Sequence, residues 1–173
     1  MVITPIVNDG RINRSKTTLN KIVAATISLL RKNNNGQIPT AQEIAVKSGV
    51  GIRTVFRHID DMEGLIEEVN RRYLNDLESY IAKNNPKQNS KDQRIEHVIK
   101  ERFYLYNTYQ HVFNLTITSL NNSNAIRTGF IKFNHILRQR FEDLIPEIKM
   151  INKDKQNLIA VSYTHLRAHE TGI

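Results

Sequence analysis

Residues 49–59 read GVGIRTVFRHI, with Gly51 opening a short helical stretch and Arg53 and Arg57 one turn apart. At 3.6 residues per turn, Val55 and Ile59 share a face and are expected to form its buried side. Ile52, Arg53, Thr54, Arg57 and His58 are then left over, too polar or too exposed to be wholly core. Arginine forks match phosphate oxygens or the O6/N7 edge of guanine, and threonine offers a hydroxyl or a methyl. The N-terminus of the helix adds amide donors toward a phosphate. The pattern implies a helix made to lie in the major groove of DNA. A generic helical hairpin with a solvated basic face would carry similar residues.

Working upstream, Thr40-Ala41-Gln42-Glu43 has the form of a capping box, and the helix it starts ends near Ser48-Gly49. Gly49 would supply the unusual backbone of the turn, and Ala45 would be small because the next helix crosses over it. Ile44, Val50 and Val55 are expected to pack the pair against a first helix over about 15–33. That helix carries Leu19, Ile22, Val23, Thr26, Ile27 and Leu30 at helical spacing. NNNGQIP closes it, and residues 1–14, with Pro5 and Asn8-Asp9-Gly10, read as a flexible basic arm.

Downstream, Asp60-Asp61-Met62-Glu63 looks like another helix start, with acids favourably placed for the dipole. It leads into a connecting helix over 61–83. NNPKQNSKD, residues 84–92, is a linker, and helices follow over roughly 92–109, 110–120 and 124–145. Ile126, Phe130, Phe133, Ile136, Leu137, Phe141 and Leu144 give the last one a wide apolar face, and Pro146 stops it. No strand alternation and no repeat stands out. The expected fold is all-α, with a three-helix helix–turn–helix unit over 15–60 and a helical regulatory bundle over 61–160.

A chain of 173 residues can bury a sizeable core without staples. It has no cysteine, which excludes disulfides and thiolate metal sites and fits a reducing cytoplasm. The opening MVITPIVNDG lacks a signal-peptide run, and no stretch approaches the roughly 18 apolar residues of a membrane span. The net charge is +8 and uneven: residues 1–60 hold nine Lys/Arg against three acids. Such a segment suggests a polyanionic partner, although a soluble basic surface has the same composition.

The stretch from about Leu19 to Tyr73 resembles the DNA-binding domain of TetR/AcrR-type transcriptional regulators. The residues that carry the resemblance are KIVAATISLL and IPTAQEIAVKSGVGIRTVFRHIDDMEGLIEEV. The resemblance covers about a third of the chain. It implies a homodimer with a mostly helical ligand-binding body that represses until a small molecule binds, and it leaves activation open. On the same footing Thr40 is a phosphate contact, and Arg53 and Thr54 are base-facing and backbone-facing positions. His58 is a further phosphate contact, and Lys21 a basic position on the first helix. Gly51, Ile52, Phe56 and Arg57 complete the candidate DNA-binding set. Two departures stand out: Phe56 replaces a frequent tyrosine, and Met62 a frequent lysine. Arg57 and the arm residues Arg11, Arg14 and Lys16 are expected to compensate electrostatically.

ERFYLYNTYQHVF, residues 101–113, concentrates aromatic residues. Phe103, Tyr106, Tyr109, His111 and Phe113, with Phe130, are candidates to line an effector pocket in a bundle, plain core packing being the alternative. His97, His111 and His135 lack a metal-ligand pattern, and no phosphate loop, nucleophile elbow or carboxylate pair suggests an enzyme; no cofactor is expected. The end, VSYTHLRAHETGI, places His165 and His169 four apart beside Glu170, yet it resembles translated sequencing-adapter DNA. Residues 161–173 are therefore expected to be non-native, and the bundle truncated, which puts dimerisation of this chain in doubt. The expected function is a cytoplasmic, ligand-responsive DNA-binding regulator. The alternative is a helical adaptor whose basic N-terminus binds an acidic protein or an anionic surface.

Overall fold

The computed structural model describes residues 10–58, 62–86 and 89–150. They are all-helical: α1 Gly10–Asn33, α2 Ala41–Ser48, α3 Ile52–His58, α4 Met62–Lys83, α5 Lys91–Ser119, α6 Asn124–Leu144, then a 3-10 turn at Pro146–Met150. No strand occurs among the described residues. The chain divides into two compact units, one made of 1–72 with 110–127, the other of 73–109 with 128–173.

In the first unit, α2 packs on α1 and α3 on α2. Ile22, Val23, Thr26 and Leu30 form the buried stripe of α1, and Ile44 with Ala45 the buried side of α2. The threonine at position 26 is tolerated there because its hydroxyl donates to the Ile22 carbonyl at 3.0 Å. The capping box forms as expected: the Glu43 amide donates to Thr40 Oγ1, and the Thr40 amide donates to Glu43 Oε2 at 2.7 Å. Gly49 ends α2 at φ 66°, in the left-handed region. Ser123 caps α6 in the same unit by accepting from the Ile126 amide, and the Glu63 carboxylate accepts from the Ala125 amide at 2.8 Å.

The loop between α1 and α2 is clasped by the last turns of α5. Asn114 donates through Nδ2 to the carbonyl and side-chain oxygens of Asn34, and Thr118 donates to the Gly36 carbonyl. Gly36 has φ 73°, and a Cβ on it would lie 2.7 Å from the Asn114 carbonyl oxygen. Only glycine fits this approach.

The first helix differs from its expected span. It begins at Gly10, so residues 10–14 of the expected flexible arm are helical. Two threonines there continue the hydrogen bonding, Thr17 donating to the Asn13 carbonyl and Thr18 to that of Arg14, each at 2.9 Å. Residues 12–17 are all exposed, so periodicity of burial gave no sign of this extra turn. The helices expected over 92–109 and 110–120 do meet at that boundary: α5 is two helices joined across a kink at Tyr109, whose backbone (φ −110°, ψ 18°) is non-helical. Residues 1–9, Ile59, Asp60 and Asp61, and 151–173, which include the His165/His169 pair, lie outside the described residues.

The second unit holds α4 from Tyr73, α5 as far as Tyr109 and α6 from Thr128. Arg94 donates to the Leu144 carbonyl, Arg140 meets Glu101, and Arg102 donates to the Leu137 carbonyl. Partner numbers fall as positions on α5 rise, so α5 and α6 are antiparallel. The ring contacts Tyr73–Tyr109 and Tyr80–Tyr104 set α4 antiparallel to α5 in the same way. Val98, Leu144 and Ile145 form an apolar cluster with Phe141 against it.

Within this unit lies a buried ion pair that the apolar pattern conceals. Glu101 and Arg140 are 2 % and 5 % exposed, with Arg140 Nε 3.3 Å from Glu101 Oε1. Arg140 also donates to the Asn84 carbonyl, which fixes the end of α4. His97 Nε2 stands 3.8 Å from the same carboxylate oxygen, beyond hydrogen-bonding distance. Removing one member of such a pair strands a charge in the core, whereas replacing both with apolar groups does not. Arg140→Met should therefore cost about 3–5 kcal/mol of stability. Arg140→Met combined with Glu101→Met should recover most of that loss, as read from urea unfolding midpoints. A single variant as stable as the parent would show that the pair contributes nothing.

Candidate nucleic-acid interface

The α3 helix has seven residues and one wholly buried side chain, Val55, at 0 % exposure. It is opened by Gly51, whose carbonyl accepts from the Thr54 amide at 2.8 Å and the Val55 amide at 3.0 Å. With Val55 turned inward, helical geometry arranges the remaining six residues as three adjacent stripes, each an i, i+4 pair. Arg53 and Arg57 lie farthest from Val55 and are both exposed. Ile52 and Phe56 run beside them, 38 % and 61 % exposed. Thr54 and His58, on the other flank, are half-buried. The structure therefore brings Gly51, Ile52, Arg53, Thr54, Phe56, Arg57 and His58 to one short, outward-facing segment. No acidic residue occurs in α3.

Lys21 is exposed on α1, next to the buried Ile22 and Val23. Thr40 is exposed too, but its hydroxyl is occupied: Oγ1 donates to Glu43 Oε2 at 2.8 Å and accepts from the Glu43 amide at 3.3 Å. The hydrogen bonds from the Thr40 amide and then its hydroxyl hold the Glu43 carboxyl below its ordinary pKa. An anion approaching Thr40 therefore meets a carboxylate already seated on these donors. Sequence spacing identified the capping box, but its competition with a phosphate is visible only from the donor directions.

The six aromatic and histidine positions expected to line a pocket do not share one environment. Tyr109 is a packed core ring, edge-on to Tyr73 at a centroid distance of 5.7 Å and to Phe133 at 6.0 Å. Tyr106 and Phe130 are half-buried in the same unit, whereas His111 and Phe113 belong to the other unit. Phe103 is 70 % exposed and lines no interior. The reason is phase: Val98, Glu101, Leu105 and Tyr109 mark the buried row of α5, and Phe103 falls on the opposite side. Ile95 and Ile99 precede it on that exposed side. Tyr73 and Phe133 were not grouped with Tyr109 in the sequence, because ring neighbours on three helices have no common spacing.

No group of three or more His, Asp or Glu among the described residues is placed to hold a metal ion. No helix among them is long and apolar enough to cross a membrane. No protein-family model matches the sequence, and no curated protein matches it.

His111 is 6 % exposed, and burial, then the nearby Arg31 charge, lowers its pKa from 6.5 to about 4. The unfolded chain therefore binds a proton that the folded chain refuses between these values. Stability should be full above about pH 6.5 and fall as pH drops toward about 4. Urea titrations over this range should show a shallower decline for His111→Gln than for the parent. Identical slopes would remove His111 as the source.

Proposed function

We propose that the chain is a sequence-specific DNA-binding regulator whose reading head is a helix–turn–helix formed by α2, the Gly49–Gly51 turn and α3. The observation that carries this reading is the division of α3: Val55 is fully buried while Arg53 and Arg57 face solvent. A seven-residue helix held by one inward side chain contributes little core, so its sequence serves its outer surface. Two guanidinium groups one turn apart supply bidentate donors to guanine edges or phosphates. Thr54 and His58 flank them, half-buried, and their polar groups suit phosphate oxygens. Lys21 on α1, together with the excess of nine Lys/Arg over three acids in residues 1–60, supplies the sequence-independent attraction to phosphate.

The resemblance to TetR/AcrR-type regulators supports the same reading and extends it to the remaining helices. In that reading the body binds a small effector and shifts the protein between DNA-compatible and incompatible spacings of two reading heads. A homodimer is required, because half-sites one helical turn apart need heads about 34–36 Å apart. Of the expected pocket residues, we assign the half-buried Tyr106 and Phe130 to this role within the second unit; Tyr109 packs as core and Phe103 is exposed. The action is repression relieved by effector, in the cytoplasm and without catalysis.

Selection of bound duplexes from a randomised pool tests the reading directly. Enrichment of one sequence supports it, and equal retention of all sequences at fixed salt supports the helical adaptor instead. On an enriched duplex, Arg53→Ala should lower affinity by about 1–3 kcal/mol and relax the preference at one position. Lys21→Ala should weaken all duplexes alike and reduce the salt slope by about one. A changed base preference in the Lys21 variant would contradict its assignment to the backbone.

A further inference from the structure

Ile52 and Phe56 are the part of the outer surface of α3 that charge does not explain. Both are apolar and large, and they are 38 % and 61 % exposed. They stand four residues apart, so they form one continuous stripe alongside Arg53 and Arg57. Neither can donate or accept a hydrogen bond, and neither contributes to the buried side of α3, which is Val55. Holding such a stripe in water is unfavourable unless something apolar covers it. The two guanidinium groups beside it are exposed and no acid of α3 pairs with them, so an occupant of the stripe can also be an anion.

A polyanion with an apolar group recessed among acceptors fits both features. In the major groove of duplex DNA the only apolar group on the base edges is the 5-methyl of thymine. Its neighbours there are the guanine O6 and N7 acceptors and the phosphates that suit arginine. We propose that Ile52 and Phe56 read thymine methyl groups, so that the preferred duplex places thymine beside the bases or phosphates met by Arg53 and Arg57. This rests on the DNA-reading function and adds to it the residues that set part of its specificity. The β-branched side chain of Ile52 has little rotamer freedom, and the Phe56 ring has two torsions, so both keep most of their shape on binding. A phenyl ring at position 56 is in this view a reader of bases, because it has no hydroxyl with which to meet a phosphate.

The experiment uses the full chain and duplexes enriched from a randomised pool. Each thymine of the enriched duplex is replaced in turn by uracil, which pairs identically but lacks the methyl, and affinity is followed by fluorescence anisotropy. Loss of one buried methyl should weaken binding about fourfold at the thymines that Ile52 and Phe56 face, and leave the others unchanged. The Ile52→Ala/Phe56→Ala variant should bind thymine and uracil duplexes equally, with the salt slope of the parent. Both side chains are exposed, so the variant should retain the parent's helical circular dichroism and unfolding midpoint.

Four results overturn the proposal in distinguishable ways. Parent protein that binds the enriched duplex but ignores every uracil substitution loses the methyl reading and keeps the DNA reading. A double variant that still discriminates uracil from thymine moves methyl recognition to other residues. Concentration-dependent self-association that the double variant abolishes, without uracil discrimination, assigns the stripe to a second copy of the chain. Failure to enrich any sequence removes the DNA reading itself and this proposal with it.

Discussion

The outer surface of α3 depends on one inward contact, Val55. A helix of seven residues is too short to persist in water on its own hydrogen bonds. It exists because Val55 is buried, because Gly51 receives its first two amides, and because α2 packs beside it. Arg53, Phe56 and Arg57 are thereby left exposed, and their chemistry is available to a partner. α2 in turn is fixed by the capping box at Thr40 and the left-handed Gly49. The orientation of two arginines thus follows from one valine and two backbone devices.

Much of this local structure was legible because its signals are short in range. The capping box needs residues three apart, the turn needs a glycine, and the stripes of α3 need only the helical period. What was not legible involves residues distant in sequence. The Glu101–Arg140 pair joins two helices at positions that continue their apolar rows, so the helical period turns both inward but does not say that they meet. A cluster of aromatics along the chain leaves Tyr109 open as a pocket or a core residue, and the ring neighbours that decide it, Tyr73 and Phe133, come from other helices. Phe103 belonged to the same cluster and lies on the opposite side of α5. Local concentration of a residue type says little about which face it takes.

The two kinds of polar burial also differ in what they imply. Thr26 and Thr116 return their hydroxyls to carbonyls one turn back and are local matters. Arg94, Arg102 and Arg140 instead donate to carbonyls at or beyond helix ends or on a facing helix. In the second unit these contacts select one register of α5 against α6, which apolar packing alone specifies less sharply. Charge there fixes alignment, whereas charge on α3 remains available to solvent or a partner.

The clasp on the loop between α1 and α2 has a consequence for biosynthesis. Asn34 and Gly36 find their partners at Asn114 and Thr118, about eighty residues later in the chain. The first unit is completed only when residues 110–127 have been made, although its other part ends at Arg72. With translation at about 5–20 residues per second, the 55 residues from 73 to 127 delay completion by about 3–11 seconds. During that interval the nascent α1–α2–α3 segment exists without its clasp, with the Gly36 carbonyl still hydrated. A fragment cut at Arg72 would lack both partners of this loop, because the first unit is discontinuous in the gene.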